Sequence, residues 1–261
     1  MKKLIPRLIA VLSFMACTAI QGQSLTGVPA RQSGNLFLSN ELKQIQQEIN
    51  TSPLSIWIDR GIALWQDKSS GNSCEGCHGS VENLKNAAAT HPKLSPDGSR
   101  LENLEDRIAF YLKLSRGKSY NVESDEVLAL SAAIHSAADG VPIQIEQDPF
   151  FPEEWNSMLA KGAALYTTRQ GRMNLSCTNC HDQNIGKNLR SEVISPGNPT
   201  SFPIYRMTWQ KLGSIDRRLR ACYFGIQAKV PDMGSQELRT LELFLMNRAQ
   251  GLPIDGPSLR R

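Results

Sequence analysis

The chain has 261 residues, of which 40% are hydrophobic and 21% charged, a composition that excludes a globally disordered protein. Its length is enough for two domains of ordinary size, each with its own core. The formal net charge of +4 falls to about +1 if Lys2, Lys3 and Arg7 leave with an N-terminal signal, which excludes a global attraction to nucleic acid. Any basic binding site must therefore be local.

The N-terminus has the pattern of a secretory signal, because a basic start precedes a short apolar run at residues 8–19. This run is too short to span a bilayer. We expect residues 1–22 to form a signal peptide that is cleaved after residue 19 or 22. Lipid attachment at Cys17 is the alternative, which the poor lipobox before it disfavours. The polar residues 23–50 are expected to form an extended N-terminal arm that wraps the body or contacts a partner.

The body begins with a predicted helix from Ser52, whose apolar surface comes from Ile56, Ile58, Ile62, Leu64 and Trp65. After a loop that contains Pro and Gly, residues 101–114 have a helical pattern. A further helix is predicted from Ser124, because Asp125 and Glu126 favour the first turn electrostatically. Another is predicted from Ser235, which is followed by leucines at positions i, i+3 and i+7.

Two Cys-x-x-Cys-His motifs carry the strongest chemical signal in the sequence. A single Cys-x-x-Cys pair is also compatible with a redox dithiol or half of a zinc site. Two copies in an exported chain, each completed by histidine and each after a similar helix, indicate covalent attachment of c-type haem. The sequence therefore predicts two haem c groups, attached through Cys74, Cys77, Cys177 and Cys180, with His78 and His181 as iron ligands.

The second half of the chain repeats the first. Residues 60–65 resemble residues 161–166, and each segment precedes one motif. Further pairs are 111 residues apart: Arg107 and Arg218, Ser124 and Ser235, Glu126 and Glu237, Gly140 and Gly251, and Pro142 and Pro253. We therefore predict a mainly α fold of two tandem cytochrome c-like helical domains, residues 51–147 and 148–261, related by an internal repeat.

Cys222 is the one cysteine that belongs neither to the expected signal peptide nor to an attachment motif. Cys17 leaves with the signal, and the other four cysteines belong to the motifs. An inert buried thiol and an interchain disulfide are the plain interpretations. Arg218, however, lies four residues earlier on the same helical face, and its charge favours the thiolate that attacks sulfur and binds iron.

Arg218 is also a candidate for substrate recognition, because guanidinium presents a planar array of donors to an oxyanion such as a sulfonate. The alternative is a solvated helix face. We interpret the neighbouring Arg217 and Arg220 as surface charge.

The second face of the first haem iron has three candidate ligands: His91, His135 and Tyr111. Tyr111 falls opposite Cys222 in the repeat, and phenolate ligation of haem is known, although packing near the haem edge is the plainer role. Met246 corresponds to His135 and is interpreted as a core residue.

The sequence resembles the SoxA subunits of the SoxAX cytochromes of bacterial sulfur oxidation. The resemblance covers most of the mature chain and depends on the two motifs, residues 218–225 and the C-terminal residues 241–253. It implies that Cys222 is the active-site cysteine, present as a persulfide, and the distal ligand of the second haem. It also implies that Arg218 contacts substrate.

The same resemblance implies an L-cysteine S-thiosulfotransferase of the periplasm. Such an enzyme joins thiosulfate to a cysteine thiol of the carrier protein SoxYZ and passes two electrons to cytochrome c. Its SoxA subunit pairs with SoxX, a small cytochrome c, as a heterodimer.

Tyr111 departs from the family pattern, since two-haem members usually have cysteine as the distal ligand of the first haem. Intact His78 nevertheless indicates that this haem is bound. Two other functions stay open: a thiosulfate dehydrogenase that forms tetrathionate, and a dihaem cytochrome that only transfers electrons.

Overall fold

The computed structural model describes residues 31–48, 52–69 and 71–261, so the expected signal peptide lies outside the described residues. The described part is mainly helical, as predicted. Its helices are α1 (Asn40–Gln47), α2 (Pro53–Gln66), α3 (Cys74–His78), α4 (Lys85–Thr90), α5 (Leu104–Arg116), α6 (Asp125–Ala137), α7 (Pro152–Thr167), α8 (Cys177–His181), α9 (Ile215–Gly225) and α10 (Gln236–Arg248).

Short strands complete the fold. An antiparallel pair joins β1 (Lys93–Leu94) to β2 (Leu101–Glu102), and another joins β3 (Asn188–Leu189) to β4 (Glu192–Val193). In a third sheet, β5 (Ile204–Arg206) lies between antiparallel β6 (Lys211–Gly213) and parallel β7 (Ser258–Arg260). None of these three sheets was predicted, because strands of two or three residues carry almost no alternating pattern.

Side-chain caps set where the long helices begin. Ser124 and Ser235 accept hydrogen bonds from the backbone N–H groups of Val127 and Leu238, which confirms the predicted starts of α6 and α10. The helix predicted at residues 101–114 begins later, because Leu101 belongs to β2 and Asn103 forms a capping box at the start of α5.

In each half of the chain, two helices cross at a glycine with the same close approach of their backbones. A Cβ atom at Gly61 would lie 2.0 Å from the Ala129 carbonyl oxygen, where α2 crosses α6. A Cβ atom at Gly162 would lie equally close, 2.0 Å, to the Thr240 carbonyl oxygen, where α7 crosses α10. Glycine is needed at both crossings because no side chain fits between the backbones.

Residues from both halves share one apolar core. Trp65, Leu130 and Ile134 belong to the same buried cluster as Trp155 and Met246. The second half also has a buried cluster of its own, which includes Tyr166 and Leu241. Met246 is only 5% exposed, in agreement with its interpretation as a core residue.

A buried ion network also joins the halves. The fully buried Arg239 of α10 donates to Asp216 at 2.6 Å and to Asp106, on α5, at 2.5 and 2.9 Å. Glu242 lies 3.5 Å from the same guanidinium. Removal of one member of such a network leaves uncompensated buried charge, so the network holds α5 and α9 in fixed positions around α10.

The described part of the N-terminal arm, residues 31–48, is not simply extended. It contains helix α1, which Ser39 caps and whose Leu42 and Ile45 pack with Leu212 and Leu259. Gln46 accepts a hydrogen bond of 2.9 Å from the Leu259 backbone. The arm folds as a helix because Leu42 and Ile45, three residues apart, lie on one helix face and meet an apolar surface of the body.

Within the described residues, every helix is too short or too polar to cross a bilayer.

Candidate haem and thiol site

Both attachment motifs form short helices with capped N-termini. Ser73 accepts a 3.1 Å hydrogen bond from the Gly76 N–H at the start of α3, and Ser176 closes a capping box at the start of α8. Residues at positions i and i+3 lie on one helix face, so each pair of cysteines points to the same side. The five described cysteines are free of disulfides, which leaves both pairs available for haem attachment.

His181 has the environment of an iron ligand. Its Nδ1 lies 2.7 Å from the Ser195 carbonyl oxygen, to which it donates when the ring is neutral. This hydrogen bond fixes the tautomer and leaves the Nε2 lone pair for a metal. Gly197 has a φ of 74°, and a Cβ atom there would lie 2.9 Å from the ring, so glycine allows the loop to support the imidazole. The second motif therefore fits a haem.

His78 has different neighbours. Its ring centroid lies 5.9 Å from that of Trp65 and 6.0 Å from that of Tyr111, which meets it edge-on at 80°. Trp65 also donates to the Gly79 carbonyl at 2.9 Å and so holds the end of α3. Among the described residues, no carbonyl oxygen orients the His78 ring through a hydrogen bond as the Ser195 carbonyl orients that of His181.

Cys222 lies half-buried on α9 at the second motif. Burial raises its pKa, but Arg218, a hydrogen bond with the His181 side chain and the charge of Arg206 lower the pKa to about 7 overall. Burial and the nearby Cys222 charge raise the pKa of Cys177 to about 11. The structure therefore brings Cys222 to the predicted attachment site and makes it the most acidic thiol there.

Two residues that the sequence did not indicate join Arg218 in this region. Arg206, on β5, lies 2.7 Å from one carboxylate oxygen of Glu192, and Arg218 lies 3.9 Å from the other. Neither residue belongs to a motif, and β5 and the β3–β4 hairpin reach the site only through tertiary packing. The local sequence pattern therefore could not identify Arg206 and Glu192 as site residues.

Arg217 and Arg220 are not the solvated charges that we predicted. Both are half-buried. Arg217 lies 4.5 Å above the Trp209 ring and 3.8 Å from Glu123, and the Arg220 Nε is buried. The side of α9 that carries them packs against the protein, which leaves Arg218 as the arginine on the Cys222 side.

The candidate ligands of the first iron are separated in the structure. Of the three candidates, Tyr111 lies next to His78, and its hydroxyl accepts a 3.2 Å hydrogen bond from Arg107. His91 and His135 line an interior cavity of about 30 Å³. Burial lowers the pKa of each of these two histidines to about 4, so both are neutral near pH 7.

Comparisons with known proteins agree with this geometry. A family model described as "SoxA/TsdA, cytochrome c domain" matches residues 60–143. The L-cysteine S-thiosulfotransferase subunit SoxA of Pseudaminobacter salicylatoxidans is 30% identical over 233 residues, which are 88% of this chain and 80% of that protein. The SoxA subunit of Paracoccus pantotrophus is 26% identical over 87% of this chain and 78% of its own.

A solved structure, the crystal structure of SoxXA from P. pantotrophus, superimposes with a TM-score of 0.80 at 25% identity, covering 88% of this chain and 86% of that chain. The matched cytochrome c domain contains the first attachment motif, and a cytochrome c domain holds its haem covalently. The chain therefore belongs to the SoxA family of L-cysteine S-thiosulfotransferase subunits and carries covalently bound haem c.

Proposed function

We propose that this chain is the catalytic subunit of an oxidative sulfur transferase, which joins thiosulfate to a cysteine thiol of a SoxYZ-type carrier protein. The observation that carries the proposal is the acidic Cys222 thiol beside His181 and Arg218. The names of the relatives, L-cysteine S-thiosulfotransferase, support the reaction class. Overall, the carrier thiol and thiosulfate yield a carrier S-thiosulfonate, one proton and two electrons.

The protein's own groups account for sulfur transfer. Cys222, as thiolate or persulfide, forms a bond to the outer sulfur of thiosulfate with the loss of two electrons, while Arg218 holds the sulfonate. The carrier thiolate then attacks that sulfur and releases Cys222. The positive charge of Arg218 also stabilises Cys222 as the leaving thiolate, which is the form that its pKa of about 7 favours.

We propose two haem c groups, held by Cys74 and Cys77 and by Cys177 and Cys180. His78 and His181 would ligate the irons, with Cys222 as the second ligand at the latter. The fixed tautomer of His181 supports this assignment. Bound haem supplies one-electron acceptors for the two electrons released, which pass on to cytochrome c.

We further propose that the two halves are tandem cytochrome c-like domains, residues 51–147 and 148–261, despite their shared core. The matching contacts of Gly61 and Gly162 support this relation. The likeness to a SoxXA structure supports a heterodimer with a SoxX-type cytochrome c. The secretory pattern at residues 1–22 supports a periplasmic location.

The direct test is Cys222→Ala in the complex with the partner subunit and carrier. Loss of an essential nucleophile should lower thiosulfate-dependent cytochrome c reduction by at least about a thousandfold. An intact mass would show that the variant keeps its haem groups. If electron flow survives in a variant of full haem content, Cys222 is not the nucleophile.

Tetrathionate formation is the second candidate, because the matching family model includes TsdA as well as SoxA. Product analysis separates the two reactions. A SoxYZ-type carrier should receive a thiosulfonate adduct in the proposed reaction, whereas a thiosulfate dehydrogenase makes tetrathionate without carrier. A chain that only transfers electrons would acquire no sulfur adduct on Cys222 during turnover.

A further inference from the structure

A carboxylate lies between the two guanidinium groups beside Cys222. One oxygen of Glu192 is 2.7 Å from Arg206 Nη2, and the other is 3.9 Å from Arg218 Nη2. The three side chains are partly covered, with exposed fractions of 13% for Arg206, 29% for Glu192 and 36% for Arg218. One anionic group thus uses separate oxygens to contact two cations, which is also how a sulfonate can bind them.

The two arginines are held in place independently of Glu192. Arg206 Nε donates to the Arg261 carbonyl at 2.8 Å, and its guanidinium lies 5.3 Å from the Trp209 ring centroid. Arg206 also belongs to β5, the central strand of its sheet. The backbone of Arg218 is fixed by α9, so its side chain stays on the Cys222 side of the helix. Withdrawal of Glu192 would therefore leave a preformed site with two positive charges.

The surroundings add to the positive potential. Arg260 lies near the pair, and its pKa falls to about 10 because of burial, although Asp255 and Glu192 oppose this effect. Its guanidinium donates to Asn35 at 2.9 Å, so it too is held in position. Three guanidinium groups therefore lie around Glu192, and an incoming dianion would enter a field that favours it.

Glu192 itself is on an element with little support. Its strand, β4, pairs with β3 through two residue pairs, Asn188 with Val193 and Leu189 with Glu192. The apolar side chains of the hairpin are poorly covered, with Leu189 58% and Val193 38% exposed. Because little apolar surface is buried there, displacement of the hairpin costs much less than displacement of β5.

We propose that Glu192 occupies the anion site of the resting enzyme, and that the sulfonate of the substrate binds Arg206 and Arg218 by displacing it. Arg206 is then a second substrate-binding residue, and Glu192 sets specificity, because only an anion that outcompetes a tethered carboxylate reaches Cys222. The identity of the anion as thiosulfate rests on the proposed function, whereas the competition between Glu192 and an oxyanion does not.

The test is calorimetric titration of the haem-loaded complex with sulfate, an inert tetrahedral dianion that requires no turnover. Glu192→Gln removes the competing charge and keeps the shape, so sulfate should bind about tenfold more tightly. Equal or weaker binding than in the wild type would overturn the inference. Asp67→Asn is the matched control, because Asp67 pairs with Arg116 at 3.0 Å in the first half of the chain, away from the Arg206–Arg218 pair, and its change should leave sulfate affinity unaltered.

Arg206 is tested in the Glu192→Gln background. There, Arg206→Gln should remove the gain in sulfate affinity, and retention of the gain would exclude Arg206 from the site. Thiosulfate kinetics separate this inference from the proposed function. If the wild-type complex does not oxidise thiosulfate at all, the proposed function fails, yet the sulfate titrations still decide whether Glu192 competes for the anion site.

Discussion

Helix α5 carries Arg107 and Tyr111, and helix α9 carries Arg218 and Cys222, with the same spacing of four residues in each pair. The partners of the two arginines differ. Arg107 is 2.9 Å from Glu102 and donates to the Tyr111 hydroxyl at 3.2 Å, whereas Arg218 has a carboxylate only at 3.9 Å. Similar helices thus hold one arginine in local hydrogen bonds and leave the other available to an anion.

The histidines of the two regions show the same contrast. His181 is oriented by the Ser195 carbonyl and lies near the Cys222 side chain, while His78 meets the edge of Tyr111. A thiolate is a strong nucleophile and a soft ligand, whereas a phenol is a weak nucleophile and a hard oxygen ligand. The comparison therefore supports the proposal that sulfur chemistry takes place in the second region and electron transfer in the first.

The largest expected effect comes from moving the cysteine from position 222 in the second region to position 111 in the first. A Cys222→Ala/Tyr111→Cys double variant has a thiol in the first region only. We expect activity with thiosulfate to stay at least about a hundredfold below wild type, because Arg107 is held by Glu102, whose side chain is only 11% exposed and is therefore harder to displace than that of Glu192, at 29%. Steady-state cytochrome c reduction measures this, with the Tyr111→Cys single variant as control. Recovery of activity in the double variant would show that the two regions are equivalent.

The two regions also differ in acid sensitivity. Burial lowers the pKa of His135 from 6.5 to about 4, so the folded state binds fewer protons than the unfolded state between these pH values. Stability contributed by neutral His135 is complete above pH 6.5 and is lost as the pH falls toward 4. Met246, its counterpart in the repeat, does not titrate.

Replacement His135→Met should therefore flatten the decline of stability in acid, by about 3 kcal/mol at pH 4 relative to pH 7. Denaturant unfolding of both proteins at several pH values measures the difference. Burial raises the pKa of the neighbouring Glu105, which acts in the opposite direction, but this group is present in both proteins and its effect cancels. Parallel pH curves would contradict the assignment.

The third comparison is between the arginines themselves. Arg218→Ala should raise the KM for thiosulfate about 10- to 100-fold, since a hydrogen bond to a charged group contributes about 1.5–3 kcal/mol. Arg107→Ala removes the same charge at the corresponding position and should change KM by less than about twofold. Haem spectra of both variants report whether the haem environments are intact. Equal changes in KM would mean that the effect is one of long-range charge and not of contact.

The sequence alone indicated the elements of this comparison that depend on nearby residues. The motifs, the leftover Cys222 and the serine caps of α6 and α10 are all local patterns, and the structure agrees with the two predicted caps. It did not indicate Arg206 and Glu192, because strands of two or three residues carry no period and their approach to α9 depends on tertiary packing.

The N-terminal arm shows a related limit. Its polar composition predicted an extended segment, yet Leu42 and Ile45 found an apolar surface built from Leu212 and Leu259. Leu212 and Leu259 are far from the arm in the sequence, so residues 23–50 alone could not predict this contact. Tertiary contact, not local preference, stabilises the helix there.

The smallest expected effect is at Tyr111, which tests whether the first region uses its phenol at all. The Tyr111 side chain is 45% exposed, and its hydrogen bond with Arg107 lies at the surface. Tyr111→Phe should therefore lower the free energy of unfolding by less than about 1 kcal/mol and leave the spectrum of the first haem unchanged. Tyr166→Phe provides the contrast, because the Tyr166 ring is 2% exposed and its hydroxyl donates to Asp182 at 2.9 Å, so its loss should cost more. A changed haem spectrum in Tyr111→Phe, with Tyr166→Phe unaltered, would instead identify Tyr111 as an iron ligand and make the first region a second, oxygen-ligated form of the same site.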